Sequence, residues 1–152
     1  MATPFPFSTG QVLTAAQMNS IGEAGTTFTP TWSAYTRGNG TTVAYYVRVN
    51  KLVYLYVEET LGSTSSVGTL PTLTLPVAAA RTQAIAPSRN RIDDTGAQVF
   101  FGSTMPLSST SVALYADLAS GTYVSFSNVS ATVPMTWTTT DKFAIAIVYE
   151  AA

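Results

Sequence analysis

A 152-residue chain with no histidine and no cysteine has few routes to covalent chemistry. Histidine is the commonest general base and metal ligand, and the thiolate is a ready nucleophile and soft ligand. What remains is eight acids, eight tyrosines, two lysines and a heavy load of hydroxyls, 25 Thr and 15 Ser. A hydroxyl nucleophile needs an adjacent activating base, and the side-chain amines are Lys51 and Lys142 alone. Glu58 and Glu59 are neighbours on an expected strand, so they point to opposite faces and cannot pair as acid and base. Carboxylates from distant segments could still meet, as glycoside hydrolysis requires, but eight acids leave little material for it. Asp93 and Asp94, joined by Asp117 or Asp141, are the candidates for an oxygen-only Ca²⁺ site. Without a spaced ligand loop, Asp93-Asp94-Thr95-Gly96 reads instead as a turn closed by its own side chains. The segment 38–43, GNGTTV, breaks the dinucleotide fingerprint: it ends in Val and precedes a strand rather than a helix. No catalytic, cofactor-binding or metal-binding residue is therefore assigned, and the chain reads as a non-enzyme.

Binding residues are better represented. Trp32, Trp137 and the tyrosines could stack on sugars, although large aromatics in a β domain usually pack the core. Trp32 and Trp137 are read as core. Tyr35, Tyr115 and Tyr123 lie nearer loops or strand ends and are the candidates for surface recognition. Arg81, Arg89 and Arg91 cluster around Pro87 and suit either a solvated loop or bidentate pairing with acids across a subunit seam. Asn39-Gly40-Thr41 and Asn128-Val129-Ser130 match the glycosylation pattern, which would carry little weight if the chain is made in bacteria.

Charge narrows the classes further. Formal net charge is −1, and only 10% of residues are charged against 46% hydrophobic. A nucleic-acid binder needs a basic stripe, and a membrane-surface module needs a basic cluster; neither is present. No apolar run reaches the ~18 residues that would span a bilayer. The first ten residues lack the basic and apolar regions of a secretory signal. Absence of cysteine fits synthesis in a cytoplasm.

The elements that must position these residues fall into two parts. Residues 1–25 read as an arm: MATPFPF is extended, with apolar anchors between prolines. Thr14-Ala15-Ala16-Gln17 fits a capping box, with Leu13 and Met18 placed to close a staple. Gly22 is placed to end a helix over residues 15–21. So short a helix needs a surface to dock on. Residues 26–152 carry β signals, with 13 of the chain's 14 valines falling there. Strands are expected at 41–49, 52–59, 70–75, 84–86, 98–101, 112–116, 123–126 and 143–149. Asn50-Lys51 is a two-residue hairpin turn, and 62–68 reads as a loop. Short strands with regular turn clusters imply an all-β antiparallel sandwich or jelly roll. Strands 52–57 and 143–149 are apolar on both faces, whereas a half-wet sheet should alternate. Either loops or a second subunit must cover the extra face. The low charge fraction favours the subunit, because obligate interfaces deplete charge as a core does.

Residues 5–22, FPFSTGQVLTAAQMNSIG, resemble the opening of short tail and virion proteins of tailed bacteriophages. A second stretch resembles the same proteins: Thr29, Pro30 and Trp32, then Gly38-Asn39-Gly40, then Tyr46, Arg48, Val49, Asn50 and Lys51. Asn50 stands where those proteins carry Gly, and both residues accept positive φ. Leu73-Thr74-Leu75-Pro76 and the closing segment 137–150 are also similar, whereas residues 78–130 match least. The resemblance implies a homotrimer or other symmetric homo-oligomer in the virion, made in the host bacterial cytoplasm. Phe5, Phe7, Leu13, Met18 and Ile21 would attach it to other virion proteins. The function implied is a tail-tip, fibre or receptor-binding component, with a host cell-surface glycan as a candidate ligand. The alternatives are a capsid decoration or head-fibre protein and, less favoured, a glycan-degrading enzyme.

Overall fold

The computed structural model describes residues 10, 12, 14–16 and 25–152. The arm anchors Phe5, Phe7, Leu13, Met18 and Ile21 lie outside the described residues, as does most of the expected helix, of which Ala15 and Ala16 are helical. The rest is all-β and antiparallel. Ten strands follow in chain order: β1 (Thr26–Thr27), β2 (Thr31–Thr36), β3 (Thr41–Val49), β4 (Leu52–Thr60), β5 (Ser66–Thr74), β6 (Ser88–Asp94), β7 (Gln98–Ser108), β8 (Ser111–Ser120), β9 (Tyr123–Asn128) and β10 (Lys142–Glu150). Their order in the sheet is β1-β3-β4-β10-β6-β7-β8-β5-β2, with β9 paired to β8.

The sheet is long enough to curl on itself, as twisted strands do. Curling lays β2, at one end, over β10 in the middle. Phe143 of β10 meets the rings of Trp32, Tyr35 and Trp137 edge-on, with ring centres 5.3, 5.1 and 6.0 Å away. The result is sandwich-like. Val53, Leu55 and Val57 of β4 and Phe143, Ile145, Ile147 and Tyr149 of β10 fill the interior, joined by Ile92 on the adjacent β6 and by Leu73, Val112 and Leu114. Two interior polar bonds fix the ends of this core. Tyr149 Oη donates to Val77 O at 2.9 Å, and Trp137 Nε1 donates to Ser130 O at 2.8 Å.

Turns follow the local chemistry. Asn50 takes φ 53°, Gly96 φ 89° and Gly121 φ 61°, each in a hairpin connection. Asp141, fully buried, accepts from Thr138 N at 2.6 Å, Thr138 Oγ1 at 3.1 Å and Thr95 N at 3.0 Å. It thereby ties the β6–β7 turn to the loop that launches β10.

Four expectations change. The Ser/Gly stretch ends earlier than expected, because β5 already starts at Ser66. Residues 84–86 do not form a strand; a 3-10 turn at Thr82–Ala84 precedes an isolated bridge of Ile85 to Tyr149. Residues 88–94, read as loop and turn, form β6 between β10 and β7. Tyr35, expected at the surface, is 7% exposed. The cause is a bulge: register shifts between Ser33 and Tyr35, with Ala34 at φ 57°. Between these pairs β2 advances two residues while β5 advances five, from Thr72 to Val67, and the left-handed Ala34 re-aims the next side chain, so Trp32 and Tyr35 both point inward.

Candidate functional site

Two features could carry function: the outer face of the curled sheet and a carboxyl buried inside it. The outer face is set by register. Tyr45 sits opposite Tyr56, Val47 opposite Tyr54 and Val49 opposite Leu52. Tyr56 continues to Ala146 and Tyr54 to Val148 on β10, and Ala144 continues to Arg91 and Phe101 on β6 and β7. The row Val43, Tyr45, Val47 and Val49 looks like a core face by composition, yet it faces outward. The interior side of β3 is taken by Thr42 and Ala44. Val43 is 55% exposed, Leu52 56%, Phe101 53% and Val148 43%. No described loop covers these side chains, so the apolar second faces of β4 and β10 are open on the single chain.

At the middle of this face the small side chains Ala144 and Ala146 leave a groove of about 280 Å³, walled by Tyr56 and Phe101. Arg89 and Arg91 also line it, and both are paired within the chain. Arg91 meets Asp93 at 2.7 Å, Arg89 meets Asp117 at 2.9 Å, and the Arg89 guanidinium lies 5.7 Å from the Phe101 ring centre. Arg81 meets Glu150 at 3.7 Å. Each of the three arginines thus has an acidic partner within its own chain. Tyr56 Oη donates to Glu58 at 2.9 Å. Burial, with the bond to the neighbouring Glu58 carboxylate, pushes the Tyr56 phenol up to about 12.

Inside, Glu59 is 1% exposed. Trp32 Nε1 donates to its Oε1 at 2.9 Å, and Thr42 Oγ1 donates to its Oε2 at 2.5 Å. Arg37 Nη1 bonds the same Thr42 hydroxyl at 3.0 Å. Burial holds the Glu59 carboxyl above its ordinary range, opposed by the Thr42 and Trp32 bonds and by the Arg37 charge. Burial, with the nearby Glu59 charge, also raises the Tyr35 phenol. A carboxyl of raised pKa beside a tyrosine can mark an acid catalyst. A groove of about 370 Å³ does open nearby, lined by Phe28, Arg37, Thr42 and Tyr45. Yet both Glu59 oxygens are engaged by the fold's own donors and neither is presented to that groove. What this arrangement does is fasten β2 to β3 and β4 across the interior.

The other sequence candidates are dispersed. Asp93, Asp94, Asp117 and Asp141 do not assemble, and among the described residues no three acidic side chains form a cation cage. Asp141 is a turn cap, and Asp117 a partner of Arg89 and Ser103. Tyr123 is 80% exposed at the β8–β9 tip, and Tyr115 is half-buried on β8. Glu58 and Glu59 point to opposite faces, as their spacing requires. Trp32 and Trp137 pack against the core. Glu59 with Trp32 was missed because the two lie 27 residues apart, and nothing local in the sequence links them. Compared with known protein families, curated proteins and solved structures, the chain matches none.

Proposed function

We propose that the chain is a non-enzymatic structural component of a bacteriophage virion. It works as a homo-oligomer, attached through residues 1–25 and projecting its β domain as a tail-tip, fibre or receptor-binding element. One observation carries the assembly half of this reading. A broad apolar outer face, from Val43 and Val49 through Leu52 to Val148, stands open in a chain with 10% charged residues. Monomeric proteins rarely expose a contiguous apolar surface of this kind, and such a patch marks an interaction site. The virion half is supported by the similarity of residues 5–22 and 29–51 to phage tail and virion proteins.

The mechanism is burial by copies of the same chain. Each large apolar side chain taken fully out of water contributes about 1.5–3 kcal/mol, and several such side chains lie on the outer face. Symmetric assembly would then let the arms act together, so weak attachment of each becomes firm attachment of all. The test is immunogold labelling of assembled phage with antibody to residues 26–152. Label on the tail supports the reading. Label on the head moves the protein to shell decoration, and absence from the particle refutes both.

A further inference from the structure

The β8–β9 hairpin presents a second surface, distinct from the apolar face of β3, β4 and β10. On one edge, the first part of β8 pairs with β5 through residues 111–113. On the same edge, residues 115–120 pair with β9. Among the described residues β9 has no strand on its other side. Natural edge strands are blunted by charge, proline or a bulge. The β2 edge has its bulge at Ala34. The sequence of β9, YVSFSN, has no charge and no proline, and its pairing with β8 runs through all six residues without a bulge. Tyr123 is 80% exposed, Val124 71% and Phe126 57%. A strand edge in this state is a template for another strand.

We infer that β9 pairs antiparallel with β9 of a second copy across a two-fold axis at Phe126. The register follows from the turn. Gly121-Thr122 is a two-residue connection closed by Ser120 opposite Tyr123. The closing pair of such a hairpin exchanges both hydrogen bonds, and bonded residues then alternate. Tyr123, Ser125 and Ser127 thus bond to β8, while Val124, Phe126 and Asn128 turn their N–H and C=O groups to the open side. Antiparallel self-pairing on those groups sets Phe126 opposite Phe126, Val124 opposite Asn128 and Ser125 opposite Ser127. A second copy is the occupant this edge fits best. An uncharged strand meets itself without like-charge repulsion, and the same six residues supply every donor and every acceptor. The outcome is a continuous β8-β9-β9-β8 sheet in place of a two-stranded ribbon, which is marginal alone. This two-fold contact is compatible with a three-fold or other assembly through the outer face.

The absence of cysteine makes the test clean. In the full chain, Phe126→Cys places two thiols on the axis, with Cα atoms about 5.5 Å apart, inside the range a disulfide spans. Tyr123→Cys, three residues off the axis, sets its two thiols roughly 20 Å apart at strand rise. Under mild oxidation, most of the Phe126→Cys protein should run as a covalent dimer on a non-reducing gel, and Tyr123→Cys should stay single. Mixing Ser125→Cys with Ser127→Cys chains should give the mixed dimer and serves if Phe126→Cys misfolds. No disulfide at Phe126→Cys or in the mixture, or equal cross-linking at Tyr123→Cys, overturns the inference. Repeating Phe126→Cys with Tyr54→Lys separates the two contacts. A retained disulfide supports an independent β9 contact even if the larger assembly dissolves, and its loss counts against that contact.

Discussion

Replacing Glu59 tests whether the buried network is a structural clamp. Glu59→Ala removes the acceptor of two interior donors, Trp32 Nε1 and Thr42 Oγ1. A buried donor left unpartnered costs about 1–3 kcal/mol, so the two together set a gross loss of roughly 2–6 kcal/mol. Removing a desolvated carboxylate offsets part of that, leaving a net loss of about 2–4 kcal/mol in unfolding free energy, seen as a lower denaturant midpoint. Coupling should be visible in a double-mutant cycle with Trp32→Phe, at about 0.5–3 kcal/mol. The pH dependence carries the sharper sign. Burial raises the folded carboxyl above its ordinary 4.5, so the folded state binds the proton more tightly than the unfolded state. That contribution is fully present below about pH 4.5 and is lost as pH rises through the folded value. Glu59→Gln cannot titrate. Relative to it, the wild type should lose stability as pH climbs from that point toward neutrality. Parallel stability–pH curves for the two proteins, or an unchanged midpoint in Glu59→Ala, would refute the clamp.

Other substitutions probe other joints. Val148→Lys or Tyr54→Lys, placing charge on the outer face, should dissolve the assembly made through that face, read as a smaller species on a sizing column, and leave the stability of the single chain within about 0.5 kcal/mol, as surface changes usually do. Asp141→Ala removes an acceptor of three hydrogen bonds and should lower stability by about 1.5–4.5 kcal/mol at net values near 0.5–1.5 kcal/mol per bond, read by urea denaturation. Ala34→Gly should raise stability slightly, by up to ~1 kcal/mol, because a Cβ in the left-handed region carries about that cost; a loss on thermal melting would contradict the bulge.

The parts of the fold that can be read from sequence are those where side-chain alternation and turn chemistry agree. β3, β4, β8, β9 and β10 announce themselves by period-two valines, tyrosines and isoleucines, and Asn50 marks the hairpin between the first two. β6 hides because Arg89, Arg91 and Asp93 occupy its outer positions, leaving Ile92 as its lone large apolar side chain. β7 runs past Pro106, a residue that argues against a strand interior. Tyr35 cannot be placed from sequence, since an alanine gives no sign of the bulge that turns the next side chain inward. The two-faced apolar character of β4 and β10 was legible, and so was the question of what covers it. The Glu59–Trp32 clamp was not, because its partners meet only after the sheet curls. Nor could composition reveal that the valine row of β3 looks outward, because either face of that strand could have been the interior.

The account rests on an outer face that copies of the chain bury, and sedimentation equilibrium of the full-length protein in dilute solution measures this most directly. The prediction is a mass of at least twice 16.0 kDa, lower in Tyr54→Lys. A wild-type protein that sediments as a 16.0 kDa monomer at micromolar concentration, folded and soluble, would contradict it.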